Sequence, residues 1–243
     1  MTASDTPDIS VVVPVHDEAG AAGPLAREIA AAFMGRSYEM IFVDDASRDT
    51  TLAELRALMA ELPALRVLSH ATNAGQSRAV RTGVLAARGA IVVTLDGDGQ
   101  NPPAEAPKLA DALMAAPPNV ALVGGRRAKR QDTAAKRWAS RWANGIRKRL
   151  LKDDADDTGC GLKAFRRDVF LRLPYFDHVH RYLPALTIRE GYENRYLDVD
   201  HRHRETGRSK YTNWGRLRAS LSDLMGVMWL KSRARRPGAV TEF

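Results

Sequence analysis

The chain has 243 residues, 44% hydrophobic and 27% charged, with a net charge of +8 and one cysteine, Cys160. That length holds one large or two small domains with a full core, and the composition excludes a disordered or collagen-like chain, an intramolecular disulfide and a cysteine-rich zinc site. Met1 to Asp8 is polar and acidic, unlike a signal peptide, and the longest apolar run, Leu221 to Leu230, is interrupted by Asp223 and falls short of the roughly 18–20 residues that span a bilayer, so the expected location is the cytoplasm.

The first half alternates strand and helix patterns. Ile9 to Val15 is a β-branched run that reads as a buried parallel strand, followed by helical periodicity over Leu25 to Phe33. Met40 to Val43 is a second strand, ending at Asp44-Asp45. Ser47 to Thr51 offers helix-starting hydroxyls, with Asp49 as a cap, before a helix through Glu61. Leu65 to Leu68 is a third strand, and Gln76 to Ala87 a helix stopped by Gly89. Ala90 to Leu95 is the fourth strand, ending at Asp96; Pro102-Pro103 opens a helix to Ala115, and Val120 to Val123 is the fifth strand. This order predicts an α/β fold with an open, mostly parallel sheet flanked by helices.

The second half is less regular. It reads as a basic helix over Ala134 to Lys152, an edge strand over Gly161 to Phe165, an alternating strand over Arg195 to Arg202 and an amphipathic helix over Trp214 to Lys231. No Pro/Gly/Ser linker divides the chain. The reading is one domain over residues 1–212, extended by a C-terminal helix and basic tail over residues 213–243.

Charge is uneven. Gly124 to Lys152 carries +10 and His201 to Pro237 carries +8, which leaves −10 for the remainder. An acidic body with two basic segments fits a local anionic partner, phosphates or a membrane surface, and the plainer alternative is a pair of solvated helix faces.

Ligands of open α/β sheets bind beyond the carboxyl ends of the strands. Acids stand there: Asp17 and Glu18 after the first strand, Asp44-Asp45 after the second, and Asp96-Gly97-Asp98 after the fourth. Carboxylates do not grip a phosphate directly, but they hold a divalent cation that does, and they accept hydrogen bonds from ribose or base. Neither a GxGxxG nor a GxxxxGK[ST] motif is present. A calcium loop from Asp96 fails, because its sixth position is Asn101 and its twelfth Pro107.

These residues carry a resemblance. Val13-Pro14-Val15-His16-Asp17-Glu18, Val43 to Thr50, Asn73-Ala74-Gly75, Gly83, Ala87-Arg88-Gly89 and Leu95 to Gln100 match, in order and spacing, the inverting family-two glycosyltransferases with the GT-A fold. The first motif has Asp17 where the family usually has Asn. The resemblance implies that Glu18, Asp44 and Asp45 hold the nucleoside beside Pro14. It also implies that Asp96 and Asp98, with Gln100, surround Mg²⁺ or Mn²⁺.

The segment after the fifth strand is similar to the acceptor region of dolichyl- and polyprenyl-phosphate glycosyltransferases. By that resemblance Arg126, Lys136, Arg137 and Ser140 hold a lipid phosphate, and Asp157 in Asp157-Thr158-Gly159-Cys160-Gly161 lines the acceptor side or is a loop carboxylate. The Gly207-Arg208-Ser209-Lys210-Tyr211 run resembles a loop that closes over the donor diphosphate, with Arg202, Ser209 and Lys210 as candidates. His180-Arg181-Tyr182 reads as a basic loop. A phosphate acceptor also suits the chemistry: its second pKa is about 6, so it is largely a dianion at neutral pH and needs cations more than a base.

The implied reaction is transfer of a sugar, mannose from GDP-mannose in the family picture, to a polyprenyl phosphate with inversion, Asp98, Arg126, Arg202 and Lys210 being the residues nearest the chemistry. A sugar or protein hydroxyl acceptor with a UDP-sugar donor is the second reading. A nucleic-acid-binding protein, drawn from the +10 segment with Trp138 and Trp142, leaves the acids at the strand ends unexplained. The last helix, with Trp214, Trp229 and a basic end, fits a peripheral membrane contact and core packing equally. The sequence leaves the oligomeric state open.

Overall fold

Seven strands form one sheet: β1 (Ile9–Val15), β2 (Tyr38–Asp44), β3 (Leu65–Ser69), β4 (Ile91–Thr94), β5 (Val120–Arg127), β6 (Lys163–Arg166) and β7 (Glu193–Val199), in the order β3-β2-β1-β4-β6-β5-β7. The computed structural model describes residues 6–127, 145, 147, 149–151, 153, 155, 159–202, 213–235 and 241–242. The β3, β2, β1 and β4 strands run parallel, β6 is antiparallel to both its neighbours β4 and β5, and β7 is parallel to β5.

The expected helices follow the strands, as α1 (Ala22–Ala32), α2 (Thr51–Leu58), α3 (Gln76–Ala86) and α4 (Ala106–Met114), the last preceded by a 3-10 turn at Pro103–Glu105. Three more come later: α5 (Arg167–Arg172), α6 (Val179–Arg189) and α7 (Asn213–Ser232).

Alternation along the central strands divides the core. On one face Val11, Val13, Phe42 and Val93 pack with Leu25 and Ile29 of α1, Leu55 of α2 and Leu109 of α4. On the other, Val12, Ile41, Val43, Val92 and Phe165 pack with Val80 and Val84 of α3, Phe170 of α5 and Leu183 and Leu186 of α6. Strands buried on both faces account for the near-continuous apolar runs of the sequence.

Three expectations are corrected. The strand placed at an edge over Gly161 to Phe165 lies inside the sheet, as β6, between β4 and β5. Within it Lys163 is only 5% exposed and lines a small cavity beside the sheet. The basic loop at His180-Arg181-Tyr182 is part of α6, a helix hidden from sequence patterning by its internal Pro184. The alternating segment near Arg195 is β7, ending at Val199 rather than Arg202.

From Leu221 onwards, helix α7 docks through one side. Val227 is buried and Leu224 and Leu230 pack on the α3/α6 face of the core, while Leu221, Met225 and Trp229 are exposed. The His178 Nδ1 atom lies 2.8 Å from an Asp223 oxygen, tying α7 to the start of α6.

Candidate active site

Register brings the acids to one rim. Val15 of β1 is level with Asp44 of β2, and Val12 with Thr94 of β4. Asp44-Asp45 and Asp96 therefore leave the sheet at one level on either side of β1, about 10 Å apart at two strand spacings.

Asp44 and Asp45 are almost fully buried. Asp44 accepts the Ser69 hydroxyl at 3.0 Å and the Ser47 N–H at 3.3 Å. Asp45 accepts the N–H groups of Ala74 at 2.9 Å and Gly75 at 2.7 Å and lies 2.7 Å from His70 Nδ1. The Asn73 amide donates to the Asp45 carbonyl at 3.1 Å, and Gly75 adopts φ +86°, a conformation open to glycine. Asp45 thus shapes the loop that leads into α3, and its Oδ2 keeps acceptor capacity beyond the Gly75 N–H.

The turn after β1 is laced to the turn after β2. Asp17 sits at φ +53°, a region that Asp and Asn both tolerate, which accommodates the departure from the usual Asn. Its N–H donates to Ser47 Oγ at 2.9 Å and its carboxylate accepts the Arg48 N–H at 2.7 Å. The Glu18 N–H donates to Thr51 Oγ1 at 2.9 Å. Asp49 accepts the Thr51 N–H at 3.0 Å and the Ala19 N–H at 3.1 Å, a turn just before the helix, whose N-cap is Thr50 rather than the expected Asp49.

The second acidic pair is built on tight backbone. A side chain at Gly97 would come within 2.7 Å of the Pro14 carbonyl, and Gly99 has φ +70°. Asp98 accepts the Gln100 N–H at 3.1 Å, and the Gln100 carbonyl accepts the Arg202 N–H at 2.8 Å. Asp96 accepts the Gln76 amide at 2.7 Å and abuts Gly161, where any side chain would overlap its carboxylate. Burial, and then the charge of Asp98, raises the Asp96 carboxyl above the usual carboxylate range.

Two hard oxygen donors one residue apart fit a cation of the magnesium or manganese class. Such an ion would offset the repulsion by Asp98, which adds to burial in raising Asp96. Among the described residues no group of three or more His, Cys, Asp and Glu side chains forms a ready metal cage.

The cations stand further along the rim. Arg126, at the end of β5, donates to Asp198 of β7 at 2.6 Å. Arg202 donates to Glu28 of α1 at 2.8 Å. Lys136, Arg137, Ser140, Asp157, Ser209 and Lys210 lie outside the described residues. The structure thus brings the candidate donor residues Pro14, Glu18, Asp44, Asp45, Asp96, Asp98 and Gln100 to the ends of β1, β2 and β4.

Sequence reasoning did not place Gln76, Gly161, Lys163 or His180 beside Asp96, with which they line one cavity. The one available signal was Lys163 itself, a lone cation between Leu162 and Ala164-Phe165. His180 was seen, but nothing local marked it as buried.

Residues 10–173 match the family model described as Glycosyl transferase family 2. The chain belongs to that family. This family 2 chain is 33% identical, over 236 residues, to the dodecaprenyl-phosphate galacturonate synthase of Rhizobium johnstonii, covering 95% of the chain and 69% of the relative. It is 36% identical, over 207 residues, to the undecaprenyl-phosphate 4-deoxy-4-formamido-L-arabinose transferase of Edwardsiella ictaluri, covering 84% of the chain and 62% of the relative. The chain spans about three fifths of the length of most of these curated relatives.

Among solved structures, it superposes on a mannosyltransferase from Pyrobaculum calidifontis in complex with GDP-Man and Mn²⁺, with a TM-score of 0.66 at 21% identity, over 96% of this chain and 66% of that one. The glucosyl-3-phosphoglycerate synthase of Mycobacterium tuberculosis, in complex with Mn²⁺, UDP and its product, gives a TM-score of 0.65 at 20% identity, over 96% and 82%. The fold is GT-A. No helix among the described residues is long and apolar enough to cross a membrane.

Proposed function

We propose that this chain transfers a sugar from a nucleotide-diphosphate donor to a polyprenyl phosphate, with inversion at the anomeric carbon. The observation that carries the reading is the rim itself: Asp44-Asp45 and Asp96-Gly97-Asp98 on strands level with each other, with Arg126 of β5 beyond them. The polyprenyl-phosphate relatives support the acceptor class.

In this reading Glu18, Asp44 and Asp45 hold base and ribose beside Pro14, the free acceptor capacity of Asp45 Oδ2 facing the nucleoside. Asp96 and Asp98, with Gln100, hold Mg²⁺ or Mn²⁺, and the ion, when bound, offsets the charge of the departing diphosphate. Arg126, with Lys136, Arg137 and Ser140, grips the acceptor phosphate; an arginine fork suits a phosphate's paired oxygens. Arg202, Ser209 and Lys210 approach the diphosphate. One phosphate oxygen attacks the anomeric carbon from the side opposite the diphosphate. The new C–O bond forms as the old one breaks, and its electron pair leaves on the nucleotide. No general base is required, because the acceptor arrives ionised.

Residues 1–212 are the catalytic domain in this reading, and residues 213–243 extend it toward a membrane surface, as a peripheral contact on the cytoplasmic side. The donor sugar separates three candidates. GDP-mannose was the first expectation, and the relatives' names point to galacturonate and a formamido-arabinose sugar.

The test is transfer of labelled sugar from each of these nucleotide donors into the butanol phase, with undecaprenyl phosphate and Mn²⁺. We expect one donor to be used and Asp98→Ala to lower its turnover by about a thousandfold, as loss of several kcal/mol of charge stabilisation requires. Transfer only to a free sugar hydroxyl, or full activity in Asp98→Ala, overturns the reading.

A further inference from the structure

Beside Asp96 lies a small cavity between β4, α3 and α6, lined by Pro14, Gln76, Gly161, Lys163 and His180 among others. Lys163 reaches it from β6, where its backbone pairs with Thr94 of β4 and Gly124 of β5. An ammonium so little exposed needs partners. Its Nζ donates to the Cys160 carbonyl. Among the residues that line the cavity, Asp96 is the one carboxylate.

His180 does not compete for that charge. Its Nδ1 lies 2.7 Å from Ser77 Oγ, and burial, followed by the charges of Lys163, Arg181 and His178, lowers its pKa to about 3, so it is neutral.

The same lysine fixes the wall on which Asp96 rests. The Cys160 carbonyl that it holds immediately precedes Gly161, whose Cα faces the Asp96 carboxylate without room for a side chain. The Thr94 hydroxyl donates to the Gly161 carbonyl at 2.9 Å and locks the segment from the other side. Gln76, at the start of α3, supplies the hydrogen bond to Asp96 Oδ1. The carboxylate is therefore held by the Gln76 amide against a side-chain-free wall, and Lys163 supports that wall through the Cys160 carbonyl.

We propose that Lys163 and Gln76 are positioning residues that aim Asp96 at the donor's divalent cation, an inference that rests on the reading of Asp96 and Asp98 as its ligands. Groups that orient a metal's ligands typically govern affinity by about 10- to 100-fold. Removing Lys163 releases the Cys160 carbonyl and the Gly161 wall, so the cation should bind more weakly. Direct repulsion between ammonium and dication acts in the opposite sense, and the sign of the change decides which prevails.

The experiment is titration of the intact protein with Mn²⁺ alone, the free ion being read by its electron paramagnetic resonance signal, together with the melting temperature without metal. We expect Asp98→Ala to abolish binding, Lys163→Met to weaken it by about tenfold or more, and Lys163→Arg to recover most of that loss. Gln76→Leu, which leaves the buried charge untouched, should weaken binding by about three- to tenfold and serves alone if Lys163→Met does not fold. If Asp98→Ala loses Mn²⁺ while Lys163→Met and Gln76→Leu bind it as tightly as the wild type, or more tightly, the clamp is refuted and the cation site stands. If Asp98→Ala keeps wild-type affinity, the cation reading falls and the clamp with it.

Discussion

Arg126 Nε and Asp198 Oδ1 lie 2.6 Å apart, joining the ends of β5 and β7, the last two strands of the sheet. Both side chains are about half exposed, so the pair adds little to stability. Its consequence is orientation: the guanidinium, which lowers the Asp198 pKa by hydrogen bond and charge, rests on a carboxylate at the rim where an acceptor phosphate would arrive. Asp198 then competes with that phosphate for the same fork. Arg126→Ala should raise KM for polyprenyl phosphate by about tenfold or more, the scale of a lost charge-assisted hydrogen bond, and leave KM for the donor unchanged. Asp198→Asn should lower the acceptor KM. A rise in donor KM alone after Arg126→Ala would remove Arg126 from the acceptor site.

Gly83 belongs to the family-like pattern, but its place is structural. A side chain there would overlap Val12 Cγ1, because α3 lies directly on β1. Gly83→Ala gains about 1 kcal/mol of helix propensity and meets about 1–3 kcal/mol of overpacking against a fully buried valine. The packing cost prevails, since Val12 is held in the central strand and has nowhere to move. We expect a net loss of about 1–2 kcal/mol, a melting temperature lower by several degrees, and kcat within twofold of wild type. A large loss of kcat at unchanged stability would move Gly83 into the site.

Glu39 gives a pH signature away from the rim. Its carboxylate accepts the Ser10 hydroxyl at 2.8 Å and the Arg88 N–H at 2.7 Å and is paired with Arg66. Burial raises its pKa, but the Arg88 N–H, Arg66 and Ser10 together outweigh it, and the net direction is down. A folded pKa below the unfolded value means that the stabilisation is complete above about pH 4.3 and fades as pH falls through the folded pKa. Glu39→Gln should therefore cost about 1–3 kcal/mol at pH 7, and urea denaturation should show the gap to wild type closing toward pH 3. A gap independent of pH would mean that shape, not charge, fixes this contact.

The parts legible in the sequence were those fixed locally. Val11 to Val13 and Ile91 to Val93 are apolar on both faces, so the strands, and the acids at their ends, could be read directly. What could not be read is set by distant partners. The interior place of β6 depends on pairing with Thr94 and Gly124, far from Lys163 in the chain. Helix α6 is stabilised by Leu183 and Leu186 against the sheet despite Pro184. Asp45 was read as a ligand residue, and only the fold shows it also holding Ala74 and Gly75.

The outer side of α7 carries Leu221, Met225 and Trp229, exposed by 53%, 65% and 59%, at intervals of four residues and hence in one stripe. The opposite side is already spent on the core through Leu224, Val227 and Leu230, so the outer stripe is not needed to hold the helix. Exposed Arg233 and Arg235 follow it. An apolar stripe ending in cations suits an anionic lipid surface, where a side chain gives back roughly 25 cal/mol for each Å² it buries. Met225→Ser together with Trp229→Ser should then weaken co-sedimentation with phosphatidylglycerol vesicles by about tenfold, which corresponds to about 1.4 kcal/mol. The melting temperature should not fall, because neither side chain is packed. Vesicle binding equal to wild type, with loss of self-association instead, would assign the stripe to a second copy of the chain rather than to lipid.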